Sequence, residues 1–136
     1  MPNALLCALL IAGSVASAQV ADPKSAILGT WKGTSTCVKG PGNEACRDEL
    51  VIYHFMDISG RDSVLLKAEK LVGGRTEPMD DLPLGYDRLK DQWSAEFRNA
   101  RVHIRWTYAV HGSAMSGTCS DVPGGMLRRN VKVVKD

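Results

Sequence analysis

The sequence has no marked excess of either charge. Lysine and arginine number 17, aspartate and glutamate 15, for a net charge of +2. That balance excludes a protein held mainly by phosphate contacts, because nucleic-acid binders concentrate basic residues. Long apolar runs are scarce. The longest, Ala4 to Ala12, has nine residues, well short of the ~20 that a membrane-crossing helix needs. Neither Gly-x-Ser-x-Gly nor Ser-x-x-Lys occurs, so these serine-nucleophile signatures are missing. Cys-x-x-Cys and His-x-x-x-His are also absent, which argues against a zinc site. Repeats, low-complexity tracts and long linkers are absent, and helical periodicity is rare. What remains is an ordinary globular composition, 44% hydrophobic and 24% charged over 136 residues, enough for one domain.

The apolar run is followed by Gly13, Ser14 and the small-x-small triplet Ala16-Ser17-Ala18. This resembles a secretory signal peptide cut after Ala18, although no Lys or Arg precedes the run. The expected organisation is a signal peptide over 1–18, a flexible N-terminal arm over 19–26 and a single domain over 27–136. A periplasmic or secreted location follows. Export removes Cys7 and leaves Cys37, Cys46 and Cys119 in a compartment that favours disulfides. Cys37 and Cys46 flank VKGPGNEA, the shortest of the possible loops, so they are the expected bridge. Cys119 is then buried or used between chains.

Alternation dominates the rest, with turn signals about every ten residues. Candidate strands are Ile27 to Cys37, Glu49 to Asp57, Val64 to Val72, and Arg75 to Tyr86 as a broken edge strand carrying Pro78 and Pro83. Trp93 to Phe97, Val102 to Val110, Ser113 to Ser120 and Met126 to Val134 complete eight strands in meander order. A helix over 88–99 is the alternative for one segment, since Leu89, Trp93 and Phe97 are spaced by four and Asp87 is a potential N-cap. The strand reading is preferred. A two-residue turn at Asn99-Ala100 then pairs Phe97 with Val102, Ala95 with Ile104 and Trp93 with Trp106.

Gly29-Thr30-Trp31 opens the first strand, eight meandering strands follow, and Arg128 and Arg129 lie on the last. This pattern resembles the lipocalin and calycin family. The resemblance implies an all-β, eight-stranded antiparallel up-and-down barrel. In it, Gly29 and Trp31 close one end under Arg128 or Arg129, where a guanidinium can stack on the indole. The chain is shorter than a typical lipocalin and lacks its C-terminal helix. It is also similar to the exported barrels that inhibit bacterial metalloproteases. In that comparison residues 19–25 would be the inhibitory arm.

Candidate sites are few. Trp93, Ile104 and Trp106 would wall a ligand-binding lumen if the barrel is open. The small size of the domain favours a filled core instead. Arg98, Arg101, His103 and Arg105 form a cationic row with Glu96 among them, best read as a solvated outer face. His54 reads as a satisfied core or rim histidine, and His111 as an exposed turn residue. Glu77, Asp80 and Asp81 lack the spacing of a calcium loop. No catalytic set assembles, and no cofactor or metal is expected. The function expected is a monomeric, exported, non-enzymatic protein that holds a small, mostly apolar ligand. The alternatives are a protein-binding module, such as a protease inhibitor acting through its arm, or an envelope protein with no tight ligand. Nucleic-acid binding and stable membrane insertion are not expected.

Overall fold

The computed structural model describes residues 13–14 and 22–136. The expected signal peptide therefore lies almost entirely outside the described residues. A short helix α1 (Pro23–Ile27) precedes eight strands: β1 (Gly29–Cys37), β2 (Glu49–Asp57), β3 (Ser63–Val72), β4 (Arg75–Asp87), β5 (Gln92–Arg98), β6 (His103–His111), β7 (Ala114–Asp121) and β8 (Leu127–Lys135). Each strand pairs antiparallel with its neighbour in sequence, and β1 pairs with β8, which closes the barrel. The up-and-down barrel read from the sequence is the architecture found.

Alternation builds the interior, because successive side chains of a strand face opposite sides of the sheet. Val51, Tyr53 and Phe55 point inward from β2, Val64, Leu66 and Ala68 from β3, and Val131 and Val133 from β8. Tyr53, Phe55 and Tyr108 meet edge to face, with ring centroids 5.9 to 6.1 Å apart, across the middle of the barrel. Such edge-to-face pairs satisfy the ring quadrupoles. Tyr108 fits because Gly117 lies opposite it on β7. A Cβ there would sit 2.6 Å from the Tyr108 ring.

Two expectations about local structure are corrected, and the helical alternative over 88–99 is set aside in favour of the preferred strand. The β5–β6 connection is a four-residue turn, Asn99 to Val102, and not a two-residue one. The Asn99 carboxamide oxygen accepts from the N–H groups of Arg101 and Val102, each at 2.8 Å, which stabilises the longer loop. The register moves by two, so that Trp93 faces Tyr108 and Ala95 faces Trp106. An even shift leaves every side chain on its predicted face. Asp87 does cap N–H groups, those of Leu89 and Lys90, but it caps a tight turn and not a helix. Leu89 is fully exposed there. Lastly, Arg75 to Tyr86 is not a broken strand: β4 is continuous over 13 residues and pairs with β3 through one bulge. Its other side is edge-like, since only Gly85, Tyr86 and Asp87 pair with β5.

The closed end is built around Trp31. The helix α1 lies across it, with Pro23 in the first turn and the Asp22 carboxylate accepting from Lys24 N–H at 3.2 Å. The ammonium of Lys24 donates to the carbonyls of Ile58 and Gly60 in the β2–β3 turn. Residues 23–26, expected in a free arm, are thus tied to the barrel. Trp31 Nε1 donates to the Ile27 carbonyl at 2.8 Å, and both side chains are fully buried. Gly29 has φ +120°, a conformation open to glycine and costly for other residues, and this orients the chain into the Trp31 position.

Candidate functional site

Arg128 and Arg129 are at the wrong end of the barrel to cover Trp31. Arg129 pairs with Cys37 on β1, whereas Trp31 pairs with Lys135, six residues further along β8. At ~3.3 Å per residue, that separation is about 20 Å. The cation over the indole is Lys135, with Nζ 5.5 Å from the ring centroid. The guanidinium stacking expected there is replaced by a lysine ammonium over the ring.

Both arginines instead fasten the β1–β2 loop at the open mouth. That loop is closed by the Cys37–Cys46 disulfide, as expected. Arg128 points outward, holds Asp121 through Nε and Nη2, and donates to the Pro41 carbonyl at 3.0 Å. This pairing holds the Asp121 carboxyl below the usual carboxylate range. Arg129 points inward and donates to Ser35 Oγ at 3.2 Å and to the Arg47 carbonyl at 3.0 Å. Its guanidinium also lies 3.6 Å from Glu49. The loop is therefore gripped from both faces of β8. Arg128→Ala is expected to free it: hydrogen exchange at the Asn43 side-chain amide and the Val38 N–H, both donating to the Arg128 carbonyl, should accelerate while closed-end amides keep their protection.

Inside this mouth lies a cavity of about 250 Å³. Tyr53 and Tyr108 contribute its inner wall. Leu66, Leu82, Phe97, Ile104 and Trp106 make its sides, and Ser35, Glu49, Asp80 and Arg129 its polar rim. The barrel is thus filled below, around Trp31, and hollow above. Of the three expected lumen residues, Ile104 and Trp106 line the cavity. Trp93 does not: it is buried in the filled half, against Tyr86 at 5.0 Å between ring centroids.

Burial pushes the Tyr53 hydroxyl up to about 12, and burial followed by the charge of Tyr53 pushes Tyr108 well above the ordinary tyrosine range. Both are neutral hydroxyls at physiological pH, available as hydrogen-bonding groups in an apolar wall. The folded chain retains these protons above the pH, about 10, at which an unfolded tyrosine loses its own. Their contribution to stability is therefore complete below about pH 10 and is lost as pH rises from there toward 12. Melting temperature measured between pH 8 and 12 should fall across that window, together with a late rise in phenolate absorbance.

The other candidates are dispersed. Cys119 is buried on the inner face of β7, with its thiol pushed up to about 11 by burial, which makes it a poor nucleophile. Arg98, His103 and Arg105 are on the outer face as expected, whereas Arg101 lies in the β5–β6 turn. Glu96 sits between His103, at 3.0 Å, and Arg105, and is held below the usual carboxylate range by Arg105 first and His103 second. His54 is not in the core. The inward positions of β2 are Val51, Tyr53 and Phe55, so His54 faces outward, half-exposed, with Nδ1 3.1 Å from Thr30 Oγ1 and Nε2 3.7 Å from Glu69. His111 is exposed at the end of β6. Among the described residues no group of three or more His, Cys, Asp or Glu side chains is placed to hold a metal ion.

The sequence reading missed most of the cavity wall. Tyr53 was hidden in the run LVIYHFM, which is apolar on both faces and so gives no inward phase. Phe97 and Ser35 did follow the alternation but had no feature marking them as part of a site. The fold and the site define a class: a closed eight-stranded antiparallel barrel, sealed at one end and hollow at a disulfide-braced mouth. No family model matches the chain, and no curated protein matches it.

Proposed function

We propose that this protein is an exported, non-enzymatic binding barrel that holds a small, mostly apolar ligand in the mouth cavity, in the manner of the lipocalin-like barrels it resembles. The observation that carries the reading is the position of the cavity. Its apolar walls lie at the open end, above a packed aromatic layer that seals it from below. A hollow with apolar walls and a few polar groups is the usual form of a small-molecule site. At ~30 Å³ per water-sized volume, about 250 Å³ admits a ligand of roughly eight to ten non-hydrogen atoms. Export is supported by the N-terminal pattern of the sequence and by the Cys37–Cys46 bridge, which suits an oxidising compartment. No helix among the described residues is long and apolar enough to cross a membrane. An inhibitory arm has less support, because Pro23–Ile27 is committed to the closed end.

The cavity can be tested with 1-octanol as probe, followed by NMR of the tryptophan indole N–H signals. The Trp106 signal should move, and those of Trp31 and Trp93, outside the cavity wall, should stay. Ala68 also lines the cavity, and Ala68→Phe puts a phenyl ring into it. That variant should bind octanol at least about tenfold more weakly, a difference of ~1.4 kcal/mol, while its melting transition remains cooperative. Equal binding by both proteins would remove the cavity as the site.

A further inference from the structure

The wall of the barrel is incomplete beside the cavity. β4 and β5 share only the pairs Gly85–Ser94, Tyr86–Trp93 and Asp87–Gln92. Toward the mouth β4 continues through Arg75 and β5 through Arg98 without pairing to each other. Two hydrogen bonds fix which backbone groups face this seam. Tyr86 N–H donates toward β3, to the Asp62 carbonyl, and Asn99 N–H donates toward β6, to the Val102 carbonyl, both at 2.9 Å. In an antiparallel strand, alternate residues direct N–H and C=O to opposite sides. Pro83 therefore faces the seam from β4, and Glu96 and Arg98 face it from β5. Continuing the observed register would set Pro83 against Glu96. Proline has no N–H to give, so the ladder stops there.

This leaves the N–H and C=O groups of Glu96 and Arg98 open at strand spacing, directly beside the cavity. Leu82 on one lip and Phe97 on the other both line that cavity. An edge offering donors and acceptors in alternation along a strand is fully satisfied by another extended backbone. The cavity volume of about 250 Å³ also accommodates a single apolar side chain. The β4 lip is acidic: Glu77 and Asp80 have no ion pair among the described residues, and Asp81 has Lys67 at 3.5 Å. On β5, Glu96 is already paired with Arg105 and hydrogen-bonded to His103.

We propose that the seam is a strand-addition site: an extended peptide segment pairs with β5 through Glu96 and Arg98 and sends one apolar side chain between Leu82 and Phe97 into the mouth cavity. The acidic lip favours a segment with basic residues flanking that anchor. This proposal rests on the reading of the cavity as a receptor for an apolar group, and names the molecule that carries the group.

The test uses the full exported chain and a capped heptapeptide with a central phenylalanine among threonines and lysines. On addition of peptide, hydrogen exchange at the Glu96 and Arg98 amides should slow by about tenfold or more, and the Trp106 indole signal should shift. Two further peptides carry N-methyl groups on one or the other alternate set of amides. One set faces β5, so one isomer should lose binding and the other keep it. Equal binding by both isomers, or a Trp106 shift with no protection at Glu96 and Arg98, overturns strand addition and leaves the cavity reading intact. Protection that grows with protein concentration in the absence of peptide makes a second copy of the chain the occupant and overturns the proposal. A Trp106 signal that responds to neither octanol nor peptide overturns both readings.

Discussion

Replacing Trp31 by alanine is expected to cost ~3–5 kcal/mol, the range for removing a large buried aromatic side chain. Trp31 is fully buried at the closed end, under α1 and the Lys135 side chain. Its removal leaves a void between β1 and the helix and deprives the Ile27 carbonyl of the donor it holds at 2.8 Å. The void and the unpartnered carbonyl act together, because α1 is attached to the barrel through both. Urea unfolding should show a much lower midpoint. Trp31→Phe retains most of the bulk while losing the N–H and part of the indole ring, so its loss should be well under half that of alanine. A midpoint for Trp31→Ala close to that of the parent would contradict the closed-end description.

Gly33→Ala should be comparably severe despite adding a single carbon. A Cβ at this position would lie 2.0 Å from the Lys132 carbonyl oxygen and 2.8 Å from Val133 Cα. Both are backbone atoms of β8, the strand that closes the barrel against β1. No rotamer change relieves a clash with backbone, so β1 and β8 must separate where the barrel closes. The cost is expected at or beyond the upper end of the ~1–3 kcal/mol typical of overpacking. Gly85→Ala is the control, since nothing lies within 4 Å of its added Cβ and its φ is not positive. It should change stability by less than about 0.5 kcal/mol. Similar unfolding midpoints for the two variants would contradict the close approach of β1 and β8.

The sequence made the architecture legible and left the site largely hidden, for physical reasons. Strand alternation is a local property, and Trp93, Ala95 and Phe97 display it without reference to the rest of the chain. The inward face survived even where the β5–β6 register was misread, because the error was an even number of residues. The disulfide was legible because its loop is short. What could not be read was which end of the barrel a residue occupies. Arg128 and Arg129 were assigned to the Trp31 end, yet in an up-and-down barrel the start of β8 is at the mouth, with the end of β1, and Lys135 is the residue that returns to Trp31. The cavity was hidden for a related reason. It depends on how eight inward faces combine, and on an open seam beside Pro83 that no single strand records. The two prolines of β4 were correctly read as an edge signal. Their consequence, a barrel wall unzipped beside its own cavity, needed the pairing of β4 with β5.

The central claim is that the mouth cavity holds a small, mostly apolar ligand. Native mass spectrometry of the exported protein recovered from its own cells, alongside the Ala68→Phe variant produced in the same way, tests it most directly. The predicted result is an added mass on the parent protein that is lost on denaturation and is missing from the variant, whose cavity is obstructed by the added ring. Bare masses for both proteins, or the same added mass on both, would contradict it.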